Sequence, residues 1–290
     1  MKKAFKFCII LGILFLGCGC NSRSLKTDPN QVYTTVYPIE FLAQELYGEN
    51  VNISSVFPDG SDPSNYKLTN KQLNNYSLGN IFIYNGLTNE KDLARKLINK
   101  NTNIKIIDVS YGLTLENSTE ELWISPSNYL MLASTVKNNL EEILNSTYSK
   151  ETIDKNYKEL QTQISQMDAE LRVIAANVNE PTLVVDSNVF KFLEKYGYKV
   201  ISLEDEENLT PNSLANIQKN FQNGDYKYIL TRDDKTENDV IKDLKDNYNA
   251  ALVEMNMLST LKDEQRKNNE TYYTLMQKNI DNIRNVTIGK

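Results

Sequence analysis

Two cysteines near the N-terminus stand in surroundings that favour covalent lipidation. A short positive segment with three lysines precedes an apolar run at 7–17. At 11 residues this run is shorter than the roughly 20 needed to span a bilayer as a helix. A charged start, a short apolar core and small residues before a cysteine are typical of a secretory signal.

Cys18 is the preferred lipidation point, because bulky apolar residues at 14–16 precede it; Cys20 is the alternative. We therefore expect a signal peptide at 1–17 and a lipidated cysteine with a polar tether at 18–30. These features predict a protein anchored by its lipid on the extracytoplasmic face of the cell membrane.

The residue types that usually carry enzymatic chemistry are scarce in this chain. It contains no histidine, and its three cysteines all lie at or before residue 20. A histidine general base, a Ser-His-Asp triad and a cysteine-rich metal site are therefore excluded. The sequence predicts that the protein is not an enzyme.

The charge of the chain argues against nucleic acid as a partner. The full chain has a net charge of −6, and removing residues 1–17 takes away three lysines and no acidic residue, leaving about −9. Binding to phosphate backbones requires a basic surface. Nothing in the sequence indicates an oligomer, and we expect a monomer.

Short apolar runs alternate with helical patterns in both halves of the chain. Strands are predicted at 32–36, 51–56, 81–84 and 104–109, and again at 182–185, 199–203, 226–230 and 250–255. Helices are predicted at 90–99, 126–144, 189–195, 211–221 and 269–284. This alternation favours parallel βαβ units in each half.

A single long amphipathic helix is predicted between the halves. Apolar residues recur at alternating spacings of three and four from Tyr157 to Val178, without glycine or proline. The predicted fold is therefore α/β, with two βαβ lobes around mostly parallel sheets, one rigid joining helix and a ligand cleft between the lobes. The lobes are assigned to 31–148 and 180–290, and the helix to 149–179. Asp186 follows a predicted strand, and ligands of open α/β sheets bind at such carboxyl ends.

Six segments are distinctive by their order and spacing. They lie at 32–38, 57–66, 84–87, 122–126, 190–197 and 270–276, and include Asp62-Pro-Ser-Asn-Tyr66 and Leu122-Trp-Ile-Ser-Pro126. In this order they resemble segments of the solute-binding lipoproteins of zinc and manganese ABC transporters. The second resembles that family's Gly-x-Asp-Pro-His-x-Tyr loop, and the fourth the end of its His-x-Trp-x-x-Pro segment. The resemblance covers nearly the whole mature chain.

The resemblance implies a metal site whose usual ligands are all replaced here. The family holds its metal with three imidazoles, or two and a glutamate, plus an aspartate. Ser64, Glu121 and Ser187 stand at the three imidazole positions and Asn256 at the aspartate position. Asp186 is a possible helper. The resemblance also implies a membrane permease and an ATPase as partners.

Three functions stay open at this stage. The first is delivery of a divalent metal, Mn²⁺ or Zn²⁺, as transported solute through Glu121, Asp186 and backbone or water oxygens, helped by Asp59, Asp62 or Glu120. The second is binding of a different polar solute by the substituted positions, with walls from Tyr33, Tyr37, Tyr66 and Trp123. The third is a vestigial cleft in a surface protein that acts as an adhesin or accessory.

Overall fold

The protein folds into two α/β lobes, each built on a four-stranded parallel sheet. The structure, a computed structural model, describes residues 31–48 and 51–289. The predicted signal peptide, Cys18, Cys20 and the tether lie outside the described residues. Within this part of the chain no helix is both long and apolar enough to cross a membrane.

The first lobe contains strands β1 to β4. Its elements are β1 (Gln31–Thr34), α1 (Tyr37–Tyr47), β2 (Asn52–Ser55), α2 (Asn70–Tyr76), β3 (Ile81–Tyr84), α3 (Glu90–Lys100), β4 (Lys105–Asp108), α4 (Glu121–Ile124) and α5 (Pro126–Ile143). The strand order is β2-β1-β3-β4, and every pair is parallel. The chain therefore reverses its winding direction between β1 and β3.

The second lobe repeats this topology. Its elements are β5 (Thr182–Val185), a 3-10 helix (Asn188–Tyr196), β6 (Lys199–Ser202), a 3-10 turn (Glu206–Leu209), α7 (Pro211–Asn223), β7 (Tyr228–Arg232), α8 (Asp239–Tyr248), β8 (Ala251–Met255), α9 (Asp263–Lys267) and α10 (Tyr272–Ile288). The strand order is β6-β5-β7-β8, again all parallel. The segment predicted as a helix at 189–195 is a 3-10 helix.

One helix, α6 (Thr147–Ala176), joins the lobes, and at 30 residues it is about 45 Å long. Its buried stripe includes Leu160, Ile164, Met167 and Leu171, which recur every three or four residues. The helix contacts α1 and α5 of the first lobe and α10 and the 3-10 helix of the second. The assignment of the domain boundaries to residues 149 and 180 stays a prediction.

The last helix completes the core of the first lobe. The ring of Tyr272 stacks on Tyr129 at 4.1 Å between centroids, and its hydroxyl donates to the Trp123 carbonyl at 2.6 Å. Trp123, Tyr129 and Tyr272 are among the largest fully or almost fully buried side chains. The main hydrophobic core therefore runs through both lobes and α6.

Candidate functional site

A cavity of about 520 Å³ lies between the lobes. Its wall comes from segments that follow the carboxyl ends of five strands. These segments include 60–64 after β2, 88–90 after β3, 119–123 after β4, 232–235 at and after β7, and 256–262 after β8. Ligands of open α/β sheets bind beyond these strand ends, so the position of the cavity agrees with the predicted interlobe cleft.

Ser64 lies on the cavity wall, and its polar atoms are used locally. Its hydroxyl and its N–H both donate to Asp62 Oδ1, at 2.6 and 2.9 Å, and the Asn65 amide donates to the other oxygen at 2.6 Å. These hydrogen bonds, first that of the Ser64 hydroxyl, lower the pKa of Asp62. Asp62 therefore caps the turn that follows it.

Asn256 also lies on the cavity wall, and both ends of its amide have partners. Its Nδ2 donates to Asp233 Oδ2 at 3.0 Å, while its Oδ1 accepts the N–H of Leu258 at 2.8 Å. The Asp233 carboxylate also accepts the N–H of Met257 and pairs with Lys262. The amide of Asn256 thus fixes the loop after β8.

Of the adjacent acids Glu120 and Glu121, Glu120 lines the cavity and Glu121 does not. Glu121 is half-buried and accepts a hydrogen bond from the Asn117 amide at 3.1 Å. Burial raises its pKa against the effect of that hydrogen bond. Glu120 instead pairs with Arg232 at 3.0 Å and accepts from Ser118. On a helix of four residues, a shift of one position turns the side chain by about 100°.

Ser187 is buried and does not line the cavity. Its hydroxyl donates to Glu204 Oε2 at 2.8 Å, and the N–H of Asn188 donates to the same oxygen at 2.7 Å. The other oxygen of Glu204 accepts from Lys235 at 2.9 Å. Burial raises the pKa of Glu204, but these hydrogen bonds outweigh it and leave the pKa lowered.

Asp186 follows β5 and lies next to the end of β7, because β5 and β7 are parallel neighbours. It was singled out in the sequence because ligands of open α/β sheets bind at the carboxyl ends of strands (the strand-end rule). Its Oδ2 accepts the N–H of Arg232 at 2.8 Å, while its Oδ1 is buried without a hydrogen-bond partner among the described residues. Burial raises the pKa of this carboxyl to about 6 against the attraction of Arg232. Asp186 is absent from the cavity wall.

The charged run Arg232-Asp-Asp-Lys235 is the part of the site that the sequence analysis missed. All four residues line the cavity. The guanidinium of Arg232 forms a bidentate salt bridge with Asp234, in which Nε donates at 2.8 Å and Nη2 at 2.7 Å. It reaches across to the first lobe, where it contacts Glu120 and the Ser118 hydroxyl. Burial opposes its charge, but Asp234 and Glu120 outweigh that cost and raise its pKa.

A further buried acid, Glu90, belongs to the first lobe and lines the cavity. It is 6% exposed, and its Oε2 accepts the N–H of Asn85 at 2.9 Å. Burial raises its pKa to about 7. Of the aromatic residues expected as walls, Trp123 lines the cavity, while Tyr33, Tyr37 and Tyr66 do not. The Trp123 indole is 2% exposed and donates to the Met257 carbonyl at 2.8 Å, so it is chiefly a packing residue that joins the two lobes.

The arrangement does not form a metal centre of the expected kind. No group of three His, Cys, Asp or Glu side chains in the part of the chain that the structure describes is placed to hold a metal ion. Only Ser64 and Asn256 of the four predicted positions share the cavity wall, and the equivalence of the four to the family's ligands stays a prediction. Of the expected helpers, Asp62 and Glu120 line the cavity, whereas Asp59 pairs with Arg266.

Comparison with known proteins agrees with the resemblance seen in the sequence. The sequence profile of the family described as "Zinc-uptake complex component A periplasmic" matches residues 32–286. A metal ABC transporter substrate-binding lipoprotein of Lactococcus lactis is 23% identical over 301 residues, covering 96% of this chain and 95% of that protein.

Two solved structures have the same fold. The zinc-bound ZnuA-like domain of AdcA from Streptococcus pneumoniae gives a TM-score of 0.71 at 19% identity, covering 89% of this chain and 98% of that one. The laminin-binding protein Lmb of Streptococcus agalactiae, described as a bifunctional adhesin and metal transporter, gives 0.69 at 16% identity, covering 89% and 99%.

Proposed function

The chain belongs to the family of the periplasmic A component of zinc-uptake complexes, and we propose that it is the solute-binding component of an ABC importer. In this role it captures a solute between its lobes and delivers it to a membrane permease driven by an ATPase. A lipid on Cys18 or Cys20 holds the monomer on the extracytoplasmic face of the cell membrane. It binds and releases its solute without chemical change.

The observation that carries this proposal is the position of the cavity. Both sheets reverse their winding between the first and third strands of the lobe, and residues at or after β1 and β3 of the first lobe and β7 of the second line one cavity. A site built from both lobes changes shape when they move, and that change is what a permease can recognise. The contacts of α6 with both lobes restrict this movement to small shifts.

The chemistry of the wall favours a small zwitterionic solute, which carries one positive and one negative group. The wall presents acidic residues such as Asp62 and Glu120 together with Lys235 and Lys262. A cavity of about 520 Å³ lies within the range of small-molecule sites. Zinc prefers nitrogen and sulfur ligands, and neither imidazole nor thiolate is present on this wall.

Native mass spectrometry of the mature chain from residue 21, purified without chelator, tests this proposal. We expect a co-purified organic mass and no stoichiometric zinc. Removal of this molecule lowers the thermal midpoint of the protein, and adding it back restores the midpoint. Lys235→Ala on the cavity wall weakens this response, whereas Lys155→Ala on the exposed face of α6 leaves it unchanged.

Two other outcomes would contradict the polar-solute proposal. The first is one stoichiometric zinc ion that is lost in Glu121→Ala. It would support the hypothesis that the protein delivers a metal, bound at the positions that correspond to the family's metal ligands. A protein that retains and binds nothing would favour the surface role, as an adhesin or accessory. That second candidate is supported by Ser64, Ser187 and Asn256, because the polar atoms of all three are engaged within the protein.

A further inference from the structure

Arg232 places a fixed positive charge in the cleft. The residue ends β7 of the second lobe, and its side chain is only 5% exposed. Its Nη2 lies 2.7 Å from Asp234 Oδ2 and 3.0 Å from Glu120 Oε1, on the opposite lobe. Two carboxylates from different lobes thus converge on one nitrogen atom, with the Ser118 hydroxyl 3.3 Å from the neighbouring nitrogen.

This arrangement has the electrostatic form of a cation site. Carboxylate and hydroxyl oxygens are the ligands that hard divalent ions prefer. Two oxygens that each lie about 3 Å from a common nitrogen need to move by less than about 1 Å to reach the 2.3–2.6 Å of a calcium–oxygen bond. The guanidinium takes the central position instead, and its N–H groups satisfy both acids.

We infer that Arg232 is a specificity-determining residue that acts as the resident cation of the cleft and excludes divalent metal ions from the place between Glu120 and Asp234. A guanidinium does not lose its proton in proteins, so the exclusion holds at every pH at which the protein is folded. The same contacts tie the lobes together without a bound ion. The inference concerns the cleft of the proposed function, and it narrows the solute class to molecules other than bare metal ions.

The test is a gain of metal binding when the charge is removed. The probes are Tb³⁺ and Mn²⁺. Trp123, the chain's one tryptophan, lines the cavity and can therefore sensitise the luminescence of a Tb³⁺ ion bound there. Binding of Mn²⁺ is detected by native mass spectrometry. Arg232→Met keeps the aliphatic stem, and Arg232→Gln keeps hydrogen-bonding capacity. In either folded variant we expect more than about tenfold tighter binding of both ions than in the wild type, because two carboxylates lose their positive partner.

Three controls separate this site from other acidic surfaces. Arg232→Lys retains the charge and remains as unresponsive as the wild type. Adding Glu120→Gln to Arg232→Met removes the gain, because one of the two carboxylates is lost. Arg172→Ala, which removes an exposed pair on α6, produces no gain.

A folded Arg232→Met or Arg232→Gln protein that binds no more Tb³⁺ or Mn²⁺ than the wild type would overturn the inference. So would a wild-type protein that binds either ion stoichiometrically at micromolar concentration. Neither readout involves a permease or an organic solute. A failure of the importer proposal therefore leaves this result unchanged, and a metal-binding wild type would refute the exclusion while leaving an importer role intact.

Discussion

The buried carboxyl of Glu90 makes the stability of the protein depend on pH in a way that one substitution isolates. Its side chain is almost completely enclosed, and its hydrogen bond comes from the backbone N–H of Asn85. No basic side chain of residues 31–48 and 51–289 lies within ion-pair distance of it. Burial without a compensating positive charge therefore raises its pKa from 4.5 to about 7.

The direction of this pH dependence follows from the number of protons that the folded and unfolded states bind. Between pH 4.5 and 7 the folded state holds a proton on Glu90 that the unfolded chain has released. The contribution of the Glu90 carboxyl to the free energy of unfolding is thus fully present below about pH 4.5 and is lost as the pH rises through 7. At about 1.4 kcal/mol per pKa unit, the free energy of unfolding loses about 3 kcal/mol from this residue across the interval.

Glu90→Gln removes the titration and keeps an oxygen that can accept the Asn85 N–H. Urea unfolding of both proteins, followed by the fluorescence of Trp123, gives the difference in unfolding free energy at several pH values. We expect the wild type to lose about 3 kcal/mol relative to Glu90→Gln between pH 4.5 and 7.5. The raised pKa of Asp186 affects both proteins equally, so its contribution cancels in the difference.

A matched exposed substitution, Glu159→Gln on α6, measures the effect of removing a carboxylate from the surface. A difference between wild type and Glu90→Gln that stays constant with pH would refute the reasoning. It would mean that Glu90 is ionised in the folded protein and that an unrecognised partner compensates its charge.

Three further substitutions test the packing and the loop that define the cleft. Trp123→Phe removes the hydrogen-bond donor to the Met257 carbonyl. Beyond the effect of the smaller side chain, it should lower the free energy of unfolding by about 1–3 kcal/mol, measured by circular dichroism in urea. An unchanged unfolding midpoint would contradict a role of the indole in joining the lobes. Asn256→Asp replaces the amide that donates to Asp233 with a second carboxylate, so the thermal midpoint should fall at pH 7 and fall less at pH 4, whereas equal effects at both pH values would argue against repulsion. Leu160→Ala empties a fully buried position on α6 and should cost about 2–5 kcal/mol in the free energy of unfolding. A cost below about 1 kcal/mol would mean that α6 is not packed as described.

Much of the fold could be predicted from the sequence because its elements have strong local signals. The β-branched run 182–185 and the apolar stripe of α6 are examples, and the corresponding elements are observed at Thr182–Val185 and Thr147–Ala176. The short α8 was not predicted; it spans 10 residues and buries only Ile241 and Leu244. The start of the last helix was predicted at 269 and lies at Tyr272, where Thr271 supplies the cap.

The site could be predicted only in part, because it depends on contacts between distant residues. The strand-end rule selected Asp186, and the same rule would have selected Arg232 had β7 not been predicted to end at residue 230. The pairing of Arg232 with Glu120 spans both lobes, and no local pattern indicates it. Whether Glu120 or Glu121 faces the cavity depends on the orientation of a single helical turn, which the two adjacent acids do not specify.

The stacking of Tyr272 on Tyr129 has a consequence for the order in which the chain can fold as it is made. Tyr129 belongs to the first lobe, but its ring is covered by a residue that is synthesised more than 140 positions later. Until α10 is available, the nascent first lobe exposes this ring and leaves the Trp123 carbonyl without its hydroxyl donor. The first lobe therefore cannot reach its final packing during synthesis, and the chain keeps an incompletely folded form until its last helix has been released.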